Sequence, residues 1–230
     1  MVKLYHLFPL SVFQSSAELA PQERAQLVDA VIAMTQARPP VKHGGAMWSG
    51  DMNGWELLHN DARFAGMFAK FKQPLFDYLE FLRVDQSKVR LHYTRSWATL
   101  SHGKESTHAH QHMQSHISLV YYLSKPDESA GIAFINKDVP NQFAPQLFGA
   151  HLVAQGIVRD TQLYNSTKIY LEPKQGDVLI FPSKAMHEVP PSPGLSGVRI
   201  SIACDIVMTV RNSAGLEYMM PDPGSWKSID

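Results

Sequence analysis

The sequence predicts a mainly β fold with helices packed on one side, and three observations carry that prediction. From Lys88 onward, short β-type runs are separated by proline and glycine. Two segments with helical spacing of apolar residues precede them. The last long run divides by parity: Val198, Ile200, Ile202, Ile206 and Met208 share one face, and Arg199, Ser201, Ala203 and Asp205 share the other. A strand with one apolar face and one Arg/Ser/Asp face suits a sandwich or barrel with a polar, ligand-filled interior.

In chain order, Lys3 to Phe8 reads as a short strand ended by Pro9. Pro21 sits where a first helical turn tolerates proline, and Leu27, Val28, Val31 and Ile32 recur at helical spacing until Pro39-Pro40. Val41 to Asn60 reads as a loop, with Gly44-Gly45, Gly50 and Gly54, yet it carries Trp48 and Trp55 and so has the character of a cover. Asp61 is a candidate N-cap. Phe64, Met67, Phe68, Phe71, Leu75, Phe76, Leu79 and Leu82 then form an apolar helical stripe, which Pro74 should kink or split. The predicted strands are Lys88–Leu100, Ser115–Leu123, Gly131–Ile135, Thr167–Leu171, Asp177–Phe181 and Val198–Val210. From Arg211 the tail is irregular.

Composition narrows the function classes. Lys+Arg and Asp+Glu both total 21, so the charge balance gives no reason to expect a general nucleic-acid or membrane-surface partner. The single cysteine, Cys204, excludes an internal disulfide and fits a reducing compartment. MVKLYHLFPL is too weak for a signal peptide, and no apolar run approaches the roughly 18 residues of a membrane span. The expectation is a cytoplasmic chain of one domain, for which a homodimer would be unsurprising.

The chemistry concentrates in three pieces. THAHQHMQSHISLVYYL, Thr107 to Leu123, places His108, His110, His112 and His116 just before a β-type run. Imidazole ligates first-row metals, and histidines at i and i+2 of a strand point to one side. His108/His110 and His110/His112 are both candidate chelating pairs. GDVLIFPSKAMHEV, Gly176 to Val189, offers His187 as a third ligand carried by a turn and strand. Arg199 with Ser201 offers a bidentate anion site, unless the guanidinium is spent on Asp205 or Glu188. His92, His102, His116 and His151 read as ordinary surface or core histidines.

Taken together, HQHMQSHISLVYYL, GDVLIFPSKAMH and RISIACD resemble the 2-oxoglutarate/Fe(II)-dependent oxygenases. The resemblance is to a bacterial and phage branch in which HxH precedes an LSGVYYL-like strand and a GDLLLFPSxxxH-like segment precedes RxSxSxN. LFPLSVF near the N-terminus, Gly54-Trp55 and Ser96 to Ala98 are also similar to that branch. The resemblance implies a double-stranded β-helix, or jelly roll. It implies a single oxygenase domain over 1–230: a strand and helices in 1–87, the jelly-roll core in 88–210 and a tail in 211–230. It implies iron(II) on His110, His112 and His187, and 2-oxoglutarate with its distal carboxylate on Arg199 and Ser201, with Tyr122 in the same pocket. The implied activity is hydroxylation of a small-molecule or amino-acid-type substrate with molecular oxygen, releasing succinate and CO2. Trp48, Trp55 and Trp97 are then candidates for a lid or substrate wall.

This sequence departs from the pattern at identifiable positions. Position 112 is histidine where the wider superfamily has aspartate or glutamate, so a three-histidine set is implied and Glu105 becomes a candidate substitute carboxylate. Asp205 stands where the branch has asparagine, and Leu119 where it has glycine. Two other readings stay open at this level: a cupin-type metalloenzyme without 2-oxoglutarate, and a jelly-roll binding protein without chemistry.

Overall fold

The computed structural model describes residues 3–37, 41–43, 46–48 and 57–229. The prolines at 39–40, the glycines at 44–45, 50 and 54, Trp55 and the side chain of Trp48 lie outside the described residues. Among the described residues, no helix is long and apolar enough to cross a membrane.

Two antiparallel sheets face each other. One has five strands in the order β1-β9-β6-β11-β4, built from β1 (Phe13–Ser16), β4 (Val89–Ser101), β6 (Ile117–Ser124), β9 (Asp177–Pro182) and β11 (Arg199–Val210). The other runs β5-β10-β7-β8: β5 (Thr107–His110), β7 (Ile132–Ile135), β8 (Lys168–Leu171) and β10 (His187–Val189). From β4 to β7 and again from β8 to β11 the chain alternates between the sheets, so the two interleave as a jelly roll. Val41–His43 and Ala46–Trp48 pair as a small hairpin, β2 and β3, where the sequence suggested only loop.

The helices α1 (Pro21–Ala37) and α2 (Ala65–Phe81) pack on the five-stranded sheet. Their apolar stripes join its outer face in the larger core: Leu27 and Val31 from α1, and Met67, Phe71, Leu75 and Leu79 from α2, meet Leu119, Tyr121, Ile180, Ile202 and Ile206. α2 runs unbroken through Pro74, so the proline does not split it. The proline forfeits one backbone bond, but buried side chains anchor the helix on both sides of it. Asp61 caps as expected, accepting the Arg63 N–H at 3.0 Å, but it caps a short 3-10 turn ahead of α2.

The strand expected at Lys3–Phe8 does not form. Leu4, Tyr5, Leu7 and Phe8 are largely exposed, and Phe8 has φ of 58°, which breaks an extended run. The N-terminal strand is instead Phe13–Ser16, which pairs with Asp177–Ile180. The turn before β9 requires Gly176: its φ is +87°, and a Cβ there would sit 2.3 Å from the Glu18 carboxylate.

β11 organises both sheets' interior. It pairs along its length with β4 on one edge and with β6 on the other. Ile200, Ile202, Cys204 and Ile206 enter the core beneath the helices, while Arg199, Ser201 and Ala203 line a cavity between the sheets. The β4 pairing slips between Asp205 and Ile206: Asp205 faces Arg95 and Ile206 faces Tyr93, leaving Thr94 as a bulge whose hydroxyl donates to the Asp205 carbonyl at 3.2 Å.

Phe71 is fully buried and packs edge-on against Phe68 and tilted against Tyr121, which joins helix to sheet. Phe71→Ala should lower unfolding free energy by about 3–5 kcal/mol, as large-to-small changes at filled core sites do. Urea unfolding monitored by circular dichroism would measure it; a loss below about 1 kcal/mol would mean that the helix layer is loosely docked.

Candidate functional site

The histidines come together through the pairing of β5 with β10. In that ladder His187 lies directly opposite His110, and on its other side His187 faces Phe134 of β7. His112 lies two residues past β5, where its backbone N–H donates to the Ser183 carbonyl at 2.9 Å. The rings of His110 and His187 are 4.3 Å apart, those of His110 and His112 5.1 Å, and those of His112 and His187 5.4 Å. One ring nitrogen from each lies within 4.8 Å of the others.

The hydrogen bonds fix which nitrogen that is. Nδ1 of His110 meets the His108 carbonyl at 2.7 Å, and Nδ1 of His187 meets the Ala185 carbonyl at 2.8 Å. Nδ1 of His112 meets Oδ1 of Asp205 at 2.6 Å. Carbonyl and carboxylate oxygens only accept, so all three Nδ1 atoms carry the proton, and each neutral ring keeps its lone pair on Nε2. Burial favours that neutral form. It lowers His110 and pushes His187 from its ordinary value near 6.5 down to about 3, with the adjacent His110 adding to the effect on His187.

Asp205 is fully buried and well held. Besides His112 it accepts from Gln114 Nε2 at 2.8 Å and from Ser115 Oγ at 3.2 Å, and Arg95 Nη1 lies 3.7 Å away. Arg95 also stands over the Trp97 ring, 5.1 Å from its centroid, and Trp97 stacks on His112 at 5.5 Å. Trp97 therefore forms a wall behind the histidines; it is 2% exposed.

At the other end of the same cavity lies Arg199, also 2% exposed. Its Nε and Nη1 and the Tyr122 hydroxyl have no hydrogen-bond partner among the described residues. The guanidinium stands over the Tyr122 ring, 5.3 Å from the centroid, and the two couple electrostatically without a well-formed hydrogen bond. Burial pushes the phenol up to about 12 and lowers the guanidinium from its ordinary value, yet an arginine stays charged. Neither carboxylate that might have neutralised it is available: Asp205 is engaged as above, and Glu188 pairs with Lys168 at 2.6 Å. Ser201 sits opposite Thr99 on β4 and Tyr122 on β6, and all three line the cavity.

The structure thus brings His110, His112 and His187 to one end of a cavity and Arg199, Ser201 and Tyr122 to its wall. His108 is exposed and contributes its carbonyl to orienting His110. Glu105 is not part of the histidine group; its carboxylate accepts the His102 N–H at 2.7 Å. His92 bonds Thr209, and His116 Nδ1 accepts the Met208 N–H. The sequence reading missed Asp205 as the partner of His112. The parity of β11 was its available signal, since it put Asp205 on the Arg199 face.

The donor set, three imidazoles each with a ring nitrogen within 4.8 Å of the others, fits a divalent first-row metal. A buried cation with two unpartnered donors fits an anionic group in the same cavity. Residues 95–205 match the family model described as "Putative 2OG-Fe(II) oxygenase". No curated protein matches the sequence. Among solved structures, the chain is similar to the non-heme alpha ketoglutarate dependent carbocyclase SnoK from nogalamycin biosynthesis, with 11% identity over 92% of this chain and 87% of that one and a TM-score of 0.54. It is similar to HygX from Streptomyces hygroscopicus, solved with nickel and 2-oxoglutarate, with 13% identity over 86% and 83% and a TM-score of 0.53. It is also similar to AviO1 from Streptomyces viridochromogenes, with 12% identity over 93% of each chain and a TM-score of 0.52. At such identities the likeness speaks for the fold, a double-stranded β-helix.

The depressed His187 has a consequence for acid stability. The unfolded chain takes a proton near pH 6.5 that the folded, metal-free chain refuses until about pH 3. The His187 contribution is therefore present above about pH 6.5 and is lost as pH falls across that window. Thermal melting of metal-free protein from pH 7 to pH 4 should fall less steeply in His187→Gln than in wild type; parallel curves would mean that His187 is charged when folded.

Proposed function

We propose that this chain, whose residues 95–205 belong to the 2OG-Fe(II) oxygenase family, holds iron(II) on His110, His112 and His187 and 2-oxoglutarate on Arg199 and Ser201. Fe(II) and 2-oxoglutarate are the cofactors of that family. The observation that carries the proposal is that one ring nitrogen from each of His110, His112 and His187 lies within 4.8 Å of the others, with Nδ1 of each ring held by a fixed acceptor. When bound, iron(II), 2-oxoglutarate and oxygen together supply oxidation of a substrate C–H bond coupled to release of succinate and CO2.

The chain's own residues bind, orient and exclude. Arg199 offers two free donors to the far carboxylate of the cosubstrate, and Ser201 and the Tyr122 hydroxyl add further donors on the same wall. Their distance from the histidines fixes which end of a dicarboxylic keto acid reaches the metal. Trp97, Ile132 and Val189 supply apolar walls that keep bulk water from the histidine end. Hydroxylation of a small-molecule or amino-acid-type substrate is the reaction we assign. The same reading treats 1–230 as one oxygenase unit, with 1–87 supporting the jelly roll of 88–210 and 211–230 as its tail, working in the cytoplasm with Cys204 as a free thiol.

The test is anaerobic titration of the iron(II)-loaded protein with 2-oxoglutarate, following the visible charge-transfer band of the chelated cosubstrate. Wild type should develop the band. Arg199→Ala should keep its iron content but require about 10- to 150-fold more 2-oxoglutarate, the factor that charge-assisted hydrogen bonds worth about 1.5–3 kcal/mol provide. An unchanged requirement would remove Arg199 from the cosubstrate site. Iron bound with no band at any 2-oxoglutarate concentration would favour a cupin-type metalloenzyme, and no iron bound would favour a binding protein.

A further inference from the structure

The three histidines are not held alike. Nδ1–H of His110 and of His187 donate to neutral backbone carbonyls, those of His108 and Ala185, whereas Nδ1–H of His112 donates to a carboxylate, Asp205, at 2.6 Å. That carboxylate is fully buried, and its remaining acceptor capacity is filled by Gln114 and Ser115, which hold it in one orientation. Arg95 Nη1 lies 3.7 Å from it on a side chain 30% exposed, a long pairing that solvent screens. Three neutral imidazoles give a divalent ion no compensating charge, whereas a set of two histidines and a carboxylate gives one.

We propose that Asp205 is a positioning residue that locks His112 as the Nδ1–H tautomer and supplies, one hydrogen bond behind the metal, the negative charge that a three-histidine set lacks. This rests on the reading of His110, His112 and His187 as the metal site. A carboxylate accepting from the far nitrogen of a ligating imidazole raises the basicity of the ligating one, and losing such a partner typically weakens metal affinity about 10- to 100-fold. Histidine at position 112 and aspartate at position 205 are therefore one device: the carboxylate is moved outward from the metal, and the histidine ring carries its charge inward. Trp97, stacked on His112, and Ser115, bonded to both Asp205 and Ser183, keep ring and carboxylate in register.

The test uses the full chain and Co(II), whose visible d–d bands report ligand field independently of turnover. Asp205→Asn preserves an oxygen to accept from His112 and removes the charge, with an amide nitrogen in place of the oxygen that meets Gln114. It should bind Co(II) about 10- to 100-fold more weakly than wild type, in competition with a chelator, and with shifted d–d bands. Glu80→Gln neutralises an exposed carboxylate of α2 that pairs with Arg83, away from the histidines, and should bind Co(II) within about threefold of wild type. Circular dichroism and metal-free melting establish that each variant is folded. For a readout without substitution at position 205, the imidazole proton–nitrogen spectrum of Zn(II)-loaded wild type should place the His112 Nδ1 proton downfield of those of His110 and His187. Wild-type affinity and bands in Asp205→Asn, an equal loss in Glu80→Gln, or a His112 Nδ1 proton no further downfield than the other two would overturn the role of Asp205. A wild type that takes up neither Co(II) nor Zn(II) would overturn the metal-site reading itself and this inference with it.

Discussion

The alternation of side chains along β11 is the constraint on which the rest of the molecule depends. The strand is hydrogen-bonded on both edges, so its register cannot slide without breaking two ladders at once. Its even-numbered residues, Ile200 to Ile206, bind the helical layer to the sheet. Its odd-numbered residues place Arg199 and Ser201 on the wall of the cavity and Asp205 against His112. Stability and site geometry are thus written on opposite faces of a single strand, and a shift of one residue would turn the charges into the apolar core and the isoleucines into the cavity.

Buried charge in this cavity is arranged unevenly. Asp205 is surrounded by donors and satisfied, as a buried carboxylate must be if it is not to destabilise the fold. Arg199 is nearly as buried and is left with two donor nitrogens, Nε and Nη1, unpartnered among the described residues. Such groups cost free energy in the unliganded chain, and the large core beneath the other face of β11 offsets it. The contrast separates two kinds of polar burial in one site: the carboxylate is finished by the protein, and the guanidinium waits for something to finish it.

Much of this was readable from residues alone, and where it was not the reason is physical. Long strands such as Val89–Ser101 and Arg199–Val210 announce themselves through composition and bounding turns, and their ends fell within a residue or two of expectation. β5 and β10, which carry His110 and His187, are four and three residues long and owe their existence to each other rather than to local preference. Lys3–Phe8 has a strand's composition but no partner, and Pro74 has a breaker's chemistry but lies in a helix anchored on both sides. The histidines were legible by type and spacing. The contact between His112 and Asp205 joins residues 93 apart in the chain, and only folding brings them together.

The bulge at Thr94 changes what kind of length variation β4 can tolerate. Above it, Ala98 and Leu100 face the helical layer while Trp97 and Thr99 face the cavity; below it, the core side is taken by Val89, Leu91 and Tyr93. The bulge is where the strand changes phase, from odd residues inward to even residues inward. Deleting Thr94 would restore a regular ladder and leave both halves of β4 facing as they do, whereas deleting any other residue with the bulge kept would turn one half inside out. Insertions and deletions along this strand are therefore admissible only in pairs, or when matched by the gain or loss of the bulge itself, so the length of β4 is effectively quantised.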